Sequence, residues 1–249
     1  MTVRAFYDDL APWYHLIFED WDASIDRQSE ALNGLISQTW GAQTNSVLDV
    51  AAGIGTQAIG LASLGYRLTL SDISMLALQR ARLEASQRNL TVDVLCADMR
   101  RLPVRAGLAD VVISCDNALP HLLTDDAIRS ALTEWYRCLR PGGGCLITMR
   151  DYTTPPPSGT EEEHPYGQRM WAGRSYDVKQ IWSWHGNEYD ITFVITDVDQ
   201  DAPVANVTTR YYAIPPNHIT ELMIDVGFTD VWQVDQVFYQ PVLLGTRSD

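Results

Sequence analysis

A glycine turn flanked by carboxylates is the first chemistry this sequence offers. In Val47-Leu-Asp-Val-Ala-Ala-Gly-Ile-Gly-Thr-Gln-Ala58, Gly53, Gly55 and Ala58 keep the spacing of a G-x-G-x-x-G/A nucleotide turn, with an apolar run ahead and a helix-compatible run behind. Asp72-Ile73 follows about 20 residues on, where a carboxylate can accept the hydroxyls of a ribose. Asp49, inside the strand that precedes the turn, narrows the choice of nucleotide. A dinucleotide sets a pyrophosphate against these glycines, and an acid so close would repel it. S-adenosyl-L-methionine brings an ammonium and a sulfonium, both cationic, which an acid there suits. Asp49 can also serve merely to tie down the turn's own amides.

Two more stretches could work on such a donor. Asp98-Met99 ends a third apolar run: the acid can accept from an adenine amino group while the Met99 amide meets a ring nitrogen, or it is a plain loop acid. Cys115-Asp116-Asn117, with His121 four residues on, follows a fourth run and falls at the mouth of the same crevice, where a methyl group would be delivered. Transfer from a sulfonium is an in-line displacement, so the chain must hold a neutral nucleophile along the S to C axis. His121 is the candidate proton acceptor or cofactor positioner, or else a satisfied histidine at a helix start. Arg150 ends a fifth run and is either a carboxylate clamp or a partner for nearby acids. Asn117 and Tyr14 complete the candidate catalytic and substrate-binding set, and no metal ligands are expected.

The elements that must position these groups follow from the pattern. Residues 5 to 22 carry six aromatic rings and read as a helical extension that covers a ligand. Phe6, Phe18 and Trp21 suit packing, while Tyr7 and Tyr14 bring hydroxyls and suit the cofactor site. Arg27 can reach a methionine carboxylate or be an exposed helix arginine. Strands are expected at Val47–Ala51, Tyr66–Leu70, Val92–Ala97, Asp110–Ser114 and Cys145–Arg150, with helices from about Thr56 to Leu64, from the Ser74 cap to Gln87, and from the Thr124 cap to Leu139-Arg140. Pro141-Gly-Gly-Gly144 reads as a turn, and residues 150–167 as a loop. Three β runs, 175–184, 189–197 and 204–214, form an antiparallel meander. A helix to Val226 and a strand pair, 228–234 and 238–244, finish the sheet.

Composition excludes several classes. With 249 residues, 46% of them hydrophobic, the chain can build one large core. A net charge of -14 repels a phosphate backbone, so nucleic acid is not expected as a partner. Four cysteines without a C-x-x-C pair disfavour disulfides and zinc. The N-terminus lacks a basic region followed by an apolar stretch, and no apolar run reaches about 18 residues, which predicts a cytoplasmic protein without a membrane partner. Association with copies of itself stays open.

The stretch VLDVAAGIGTQAIGLASLGYRLTLSDIS, with ADMR, DNALPHL and LRPGGGCLITMRDY, resembles the class I S-adenosylmethionine-dependent methyltransferases over residues 45 to 151. DNALPHL, MRDY and the aromatic N-terminus resemble the glycine and sarcosine N-methyltransferase group more narrowly. The resemblance implies an α/β fold: a doubly wound, seven-stranded, mostly parallel sheet, here with an N-terminal helical cap and an inserted antiparallel meander. It puts the glycine turn on Ala51, Gly53 and Gly55, the ribose acid on Asp72, the adenine segment on Asp98 and Met99, the methionine and substrate contacts on Cys115, Asn117 and His121, and the carboxylate-gripping arginine on Arg150. Two positions depart from the pattern: Ala52 replaces a cysteine, and Asp116 replaces the glycine of glycine N-methyltransferase, where a carboxylate could select a cationic substrate group. The expectation is one methyltransferase domain: 1–45 cap, 46–151 cofactor-binding core, 152–214 loop and β insertion, 215–249 helix and hairpin. The expected substrate is a small molecule, an amino acid or related amine. An O- or C-acceptor, an NAD(P)-dependent oxidoreductase and a nucleotide-binding protein without turnover are the alternatives.

Overall fold

Alternation of short apolar runs with capped helices produces two sheets in this computed structural model, which describes residues 1–248. In chain order the elements are α1 (Val3–Leu10), a 3₁₀ turn (Tyr14–Ile17), α2 (Trp21–Trp40), β1 (Ser46–Asp49), α3 (Thr56–Ser63), β2 (Arg67–Asp72), α4 (Met75–Gln87), β3 (Asp93–Cys96), β4 (Ala109–Ser114), a 3₁₀ turn (Leu119–His121), α5 (Asp125–Cys138), β5 (Leu139–Thr148), β6 (Glu161–Trp171), β7 (Arg174–His185), β8 (Glu188–Asp197), β9 (Ala202–Tyr212), α6 (Pro216–Val226), β10 (Phe228–Val234) and β11 (Val242–Arg247). The first sheet has seven strands in the order β10-β11-β5-β4-β1-β2-β3. The β1, β2, β3, β4 and β5 pairings are parallel, and β11 runs antiparallel between β5 and β10. The order reverses between β1 and β4, which opens a crevice at the strands' carboxyl ends.

Local chemistry sets the helix starts. Ser74 and Thr124 accept from the amides of Ala77 and Ala127 with their side-chain oxygens, and Asp125 and Asp126 occupy the first turn of α5, where the helix dipole favours them. Ala77, Ala81 and Ala85 are buried at four-residue spacing, so α4 lies close on the sheet. Gly227, in the left-handed region at φ 112°, stops α6.

Three expectations need correction. The Pro141–Gly144 run is part of β5 and not a turn, with an irregularity between the Ala109–Leu139 and Val111–Gly144 pairings. Close approach requires the glycines there: a Cβ on Gly144 would lie 1.9 Å from the Trp40 ring and one on Gly143 2.7 Å from the Asp110 carbonyl. Second, the expected loop contains β6, so the antiparallel sheet has four strands, β6-β7-β8-β9. β6 is an edge strand, where Pro165 needs no ladder partner, and it bulges between Pro165 and Gly167 (φ 81°). Third, the last strand begins at Val242 and not at Phe238, leaving residues 235–241 as a loop.

The core lies on both faces of the large sheet. One side packs Leu32, Ile36, Leu61, Leu70 and Leu78 from α2, α3, β2 and α4. The other joins Trp135 of α5 and Met223 of α6 to Phe6 of α1 and to Tyr189, Ile191 and Tyr211 of the four-stranded sheet. Through that second cluster the small sheet and α1 come to stand over the crevice. No helix among the described residues is long and apolar enough to cross a membrane.

Candidate active site

The glycine turn divides its labour. Gly55 (φ 91°) opens α3, and a Cβ there would press on Ala81 and Ile59 at 3.1 Å, so its role is packing. Gly53 (φ 52°) has open space where a Cβ would go, which leaves its backbone accessible to a ligand. The turn is held from β2: Asp72 Oδ2 accepts from the Gly53 amide at 2.8 Å and Oδ1 from the Ser74 amide at 2.8 Å. Asp49 ends β1 fully enclosed; its Oδ1 accepts from the Ala51 amide at 3.2 Å, and its Oδ2 is buried with no partner. Burial pushes Asp49 up to about 7 and Asp72 up to about 6; Asp72 raises Asp49 further, whereas backbone amides hold both back. Neither acid has an ion-pair partner among the described residues.

A cleft of about 390 Å³ runs along this edge. Ala51, Gly53, Asp72, Ile73, Asp98, Met99, Cys115, Asp116, His121, Tyr7 and Tyr14 line it, so one cavity gathers most of the residues expected from sequence. Asp49, Gly55, Asn117 and Arg150 are not among its lining residues. Arg27 does not reach it: the residue is exposed on α2 and its Nη2 donates to Ser24 Oγ at 3.1 Å, because the face of α2 that packs inward presents Ser24, Gln28 and Ser29 instead. At the far end Arg100, which also lines the cleft, grips Asp98 through Nε and Nη2 at 2.9 and 2.6 Å. That grip holds Asp98 below the usual carboxylate range. The Met99 carbonyl accepts from Trp135 Nε1 at 3.0 Å.

Opposite the glycine turn, the chain leaves β4 through two consecutive left-handed residues, Asp116 (φ 55°) and Asn117 (φ 65°). Such backbone costs about 1–2 kcal/mol per residue and must be held in place. The Asp116 amide donates to Thr148 Oγ1 at 2.8 Å and the Asn117 amide to the Thr148 carbonyl at 3.0 Å. Asn117 Oδ1 accepts from the Arg150 amide and from the Tyr152 hydroxyl, each at 3.0 Å, which fixes the amide's orientation and leaves its buried Nδ2 without a partner.

His121 is similarly fixed. Its Nδ1 faces the Arg210 carbonyl at 3.2 Å and must carry the proton, so Nε2 accepts from the Tyr7 hydroxyl at 2.8 Å. Burial lowers its pKa to about 3. Of the two roles expected for His121, this geometry fits positioning; a neutral ring with both nitrogens engaged is a poor proton acceptor. Arg150 ends beyond β5 with its guanidinium carbon 4.4 Å from the Trp182 ring centroid and Nη1 donating to the Tyr189 hydroxyl at 2.9 Å. It closes no ion pair among the described residues, yet its charge and that of Asp116 act on each other. Tyr14 donates to Asp116 Oδ2 at 3.1 Å.

Tyr152, Trp182, Tyr189 and Tyr211 reach this site from the segment after β5 and from the small sheet. Alternation along β7, β8 and β9 marks these rings as inward, yet nothing in the sequence says which way inward is. Tyr239 and Gln240 come from the loop after β10 and left no signal at all.

Comparison with known proteins agrees with the geometry. The "Methyltransferase domain" family model matches residues 47–143. The glycine/sarcosine N-methyltransferase of Parasynechococcus marenigrum is 30% identical over 220 residues, covering 88% of this chain and 73% of that protein. A putative methyltransferase of Geobacillus sp. is 24% identical over 231 residues, covering 90% and 89%. An S-adenosylmethionine-dependent methyltransferase structure from Clostridium acetobutylicum superimposes with a TM-score of 0.78 at 13% identity over 96% of this chain and 98% of that one. The residues present suit that cofactor: an orphaned buried carboxylate oxygen lies beneath a glycine turn whose backbone is open to the cleft. The oxidoreductase alternative falls with this family match. This chain belongs to the class I S-adenosylmethionine-dependent methyltransferases, as an enzyme that methylates a small molecule.

Proposed function

We propose that the enzyme methylates the amino nitrogen of an amino acid or related amine that also carries a carboxylate, as glycine and sarcosine do. The observation that supports this reading is a pair of opposite charges held apart: Arg150 and Asp116, each held by its own neighbours, act on each other without closing an ion pair among the described residues. A zwitterion satisfies both, its carboxylate on the guanidinium and its ammonium toward Asp116. The 30% identity to a glycine/sarcosine N-methyltransferase supports the same class.

On the donor side, Asp49 would hold the methionine ammonium, the Ala51–Gly53 backbone would meet the methionine moiety, Asp72 and Ile73 would hold the ribose, and Asp98 and Met99 the adenine. Asp98 can keep Arg100 and still accept, because each carboxylate oxygen has two lone pairs. When bound, the cofactor supplies an electrophilic methyl carbon. The chain's residues orient and desolvate: Cys115, Tyr7 and Tyr14 wall the cleft, and His121 fixes Tyr7. Asn117 Nδ2 can donate only, so it contributes to holding the acceptor's carboxylate. An amine acceptor would have to give its ammonium proton to solvent water before it could receive the methyl group, and the chain's residues contribute to rate by aligning it. All four segments, 1–45, 46–151, 152–214 and 215–249, act as one catalytic unit in this reading.

The test is release of S-adenosylhomocysteine with glycine, sarcosine, small amines lacking a carboxylate, and phenols. Turnover with amino acids well above that with simple amines is expected. Turnover confined to phenols or carbon acids would overturn the reading in favour of O- or C-methylation.

A further inference from the structure

The acceptor-side carboxylate is finished by a residue 123 positions further along the chain. The loop 235–241 between β10 and β11 leaves the sheet and stacks Phe238 on Tyr239 with ring centroids 4.5 Å apart. Tyr239 is 55% exposed, yet its hydroxyl turns inward and donates to Asp116 Oδ1 at 3.0 Å. Buried Gln240 donates from Nε2 to the same oxygen at 3.4 Å, while its Oε1 accepts from Thr148 Oγ1 at 3.0 Å. Thr148 Oγ1 in turn accepts from the Asp116 amide, so Asp116, Thr148 and Gln240 form a closed circuit of hydrogen bonds. Oδ1 therefore has two donors, whereas Oδ2 has only Tyr14, and Asp116 lines the cleft.

We propose that the β10–β11 loop is the acceptor-selecting element of this enzyme, in which Tyr239 and Gln240 are positioning residues that hold Asp116 with one oxygen open to the cationic amino group of the acceptor. The inference rests on the amino-acid reading above and deepens it. Burial works against a charged Asp116, and Arg150 is the largest opposing influence, followed by Tyr239, Tyr14 and Gln240. The titratable and charged groups around it are Tyr7 and Tyr14 from the N-terminal segment, Cys115 beside it, Arg150 after β5, Tyr166 of β6 and Tyr239. Arg150 is the lone cation in that set. Once an acceptor carboxylate engages it, less of its charge is left for Asp116, and the loop's donors must keep the carboxylate ionised.

The test is calorimetric titration of sarcosine into the S-adenosylhomocysteine complex from pH 5 to 8, a range in which sarcosine stays zwitterionic. Tyr239→Phe should weaken sarcosine binding about tenfold at pH 7 and raise by about one unit the pH below which binding fades. Gln240→Ala should shift it in the same direction. Both should bind S-adenosylhomocysteine within about twofold of the unaltered protein, which shows that they fold. An unchanged profile, or an equal loss at every pH without a shift, overturns the loop's role alone. Absence of sarcosine binding to the unaltered protein overturns the amino-acid reading, and this inference with it.

Discussion

Asp49 holds a costly arrangement: a buried carboxylate with one oxygen unpartnered and a second acid, Asp72, close enough to raise its pKa. In the fold it titrates at about 7 against an ordinary value of 3.8. The folded, ligand-free protein therefore keeps a proton that the unfolded chain releases, and stability falls as pH rises from about 4 through about 7. Asp49→Asn removes that slope. Ligand-free thermal unfolding at pH 8 should occur several degrees higher in the variant, while S-adenosylhomocysteine binding weakens about 10- to 100-fold through loss of the charge-assisted bond. Coincident unfolding curves at pH 8 would contradict the assignment. Arg150 bears the complementary prediction on the acceptor side. Arg150→Lys keeps the charge but loses the planar fork that lies on Trp182 and meets Tyr189, so KM for an amino-acid substrate should rise at least about tenfold with cofactor affinity unchanged. An unchanged KM in steady-state kinetics would remove Arg150 from the acceptor site.

Elements differ in how much of them could be read in advance. The parallel half was legible because its features have local causes: a glycine turn opens the helix after β1, Ser74 caps the helix after β2, and Asp49, Asp72 and Asp98 stand at or just beyond the ends of β1, β2 and β3. Strand β6 was not, because Glu161, Glu163 and Pro165 alternate outward from an edge strand and make the segment look like a loop, while Glu162, His164 and Tyr166 turn inward. The glycine run in β5 misled for a different reason: Gly144 answers to Trp40, a ring from α2, and Gly143 to the Asp110 carbonyl, neighbours whose places could not be known from the sequence. The acceptor half of the site shares this difficulty. Asp116, Asn117 and Arg150 were identifiable by position, but Tyr152, Tyr189, Tyr239 and Gln240 meet them only through tertiary packing. The two kinds of glycine predict different failures. Gly144→Ala should lower stability in urea unfolding by about 3 kcal/mol or more, since the Trp40 ring must move. Gly53→Ala, with free space for the methyl group, should cost only about 1 kcal/mol yet obstruct the cofactor. Equal stability losses in the two variants would contradict this division.

At the scale of the whole molecule, the proposed reading gives the two sheets separate jobs. The carboxyl edge of the seven-stranded sheet lines the cleft assigned to the cationic donor, and the four-stranded sheet packs its aromatic rings with α1 and around Arg150, on the side assigned to the acceptor. A surface of net charge -14 adds a weak, long-range attraction for a cationic donor and repulsion for polyphosphates. Both act in the same sense as the buried pair, but salt screens the surface and not the core. The account's central claim is that the buried carboxylates beneath the glycine turn select the cofactor by charge. Its most direct test is calorimetric titration of S-adenosylmethionine between pH 5.5 and 8.5 at about 0.15 M salt, in two buffers of different ionisation heat. Ligand ammonium pairing with Asp49 must displace its proton, so affinity should rise with pH through about 6 to 7, with net proton release at the lower end of the range. An affinity that is flat across this range, or that strengthens toward acid, with no proton released, would contradict it.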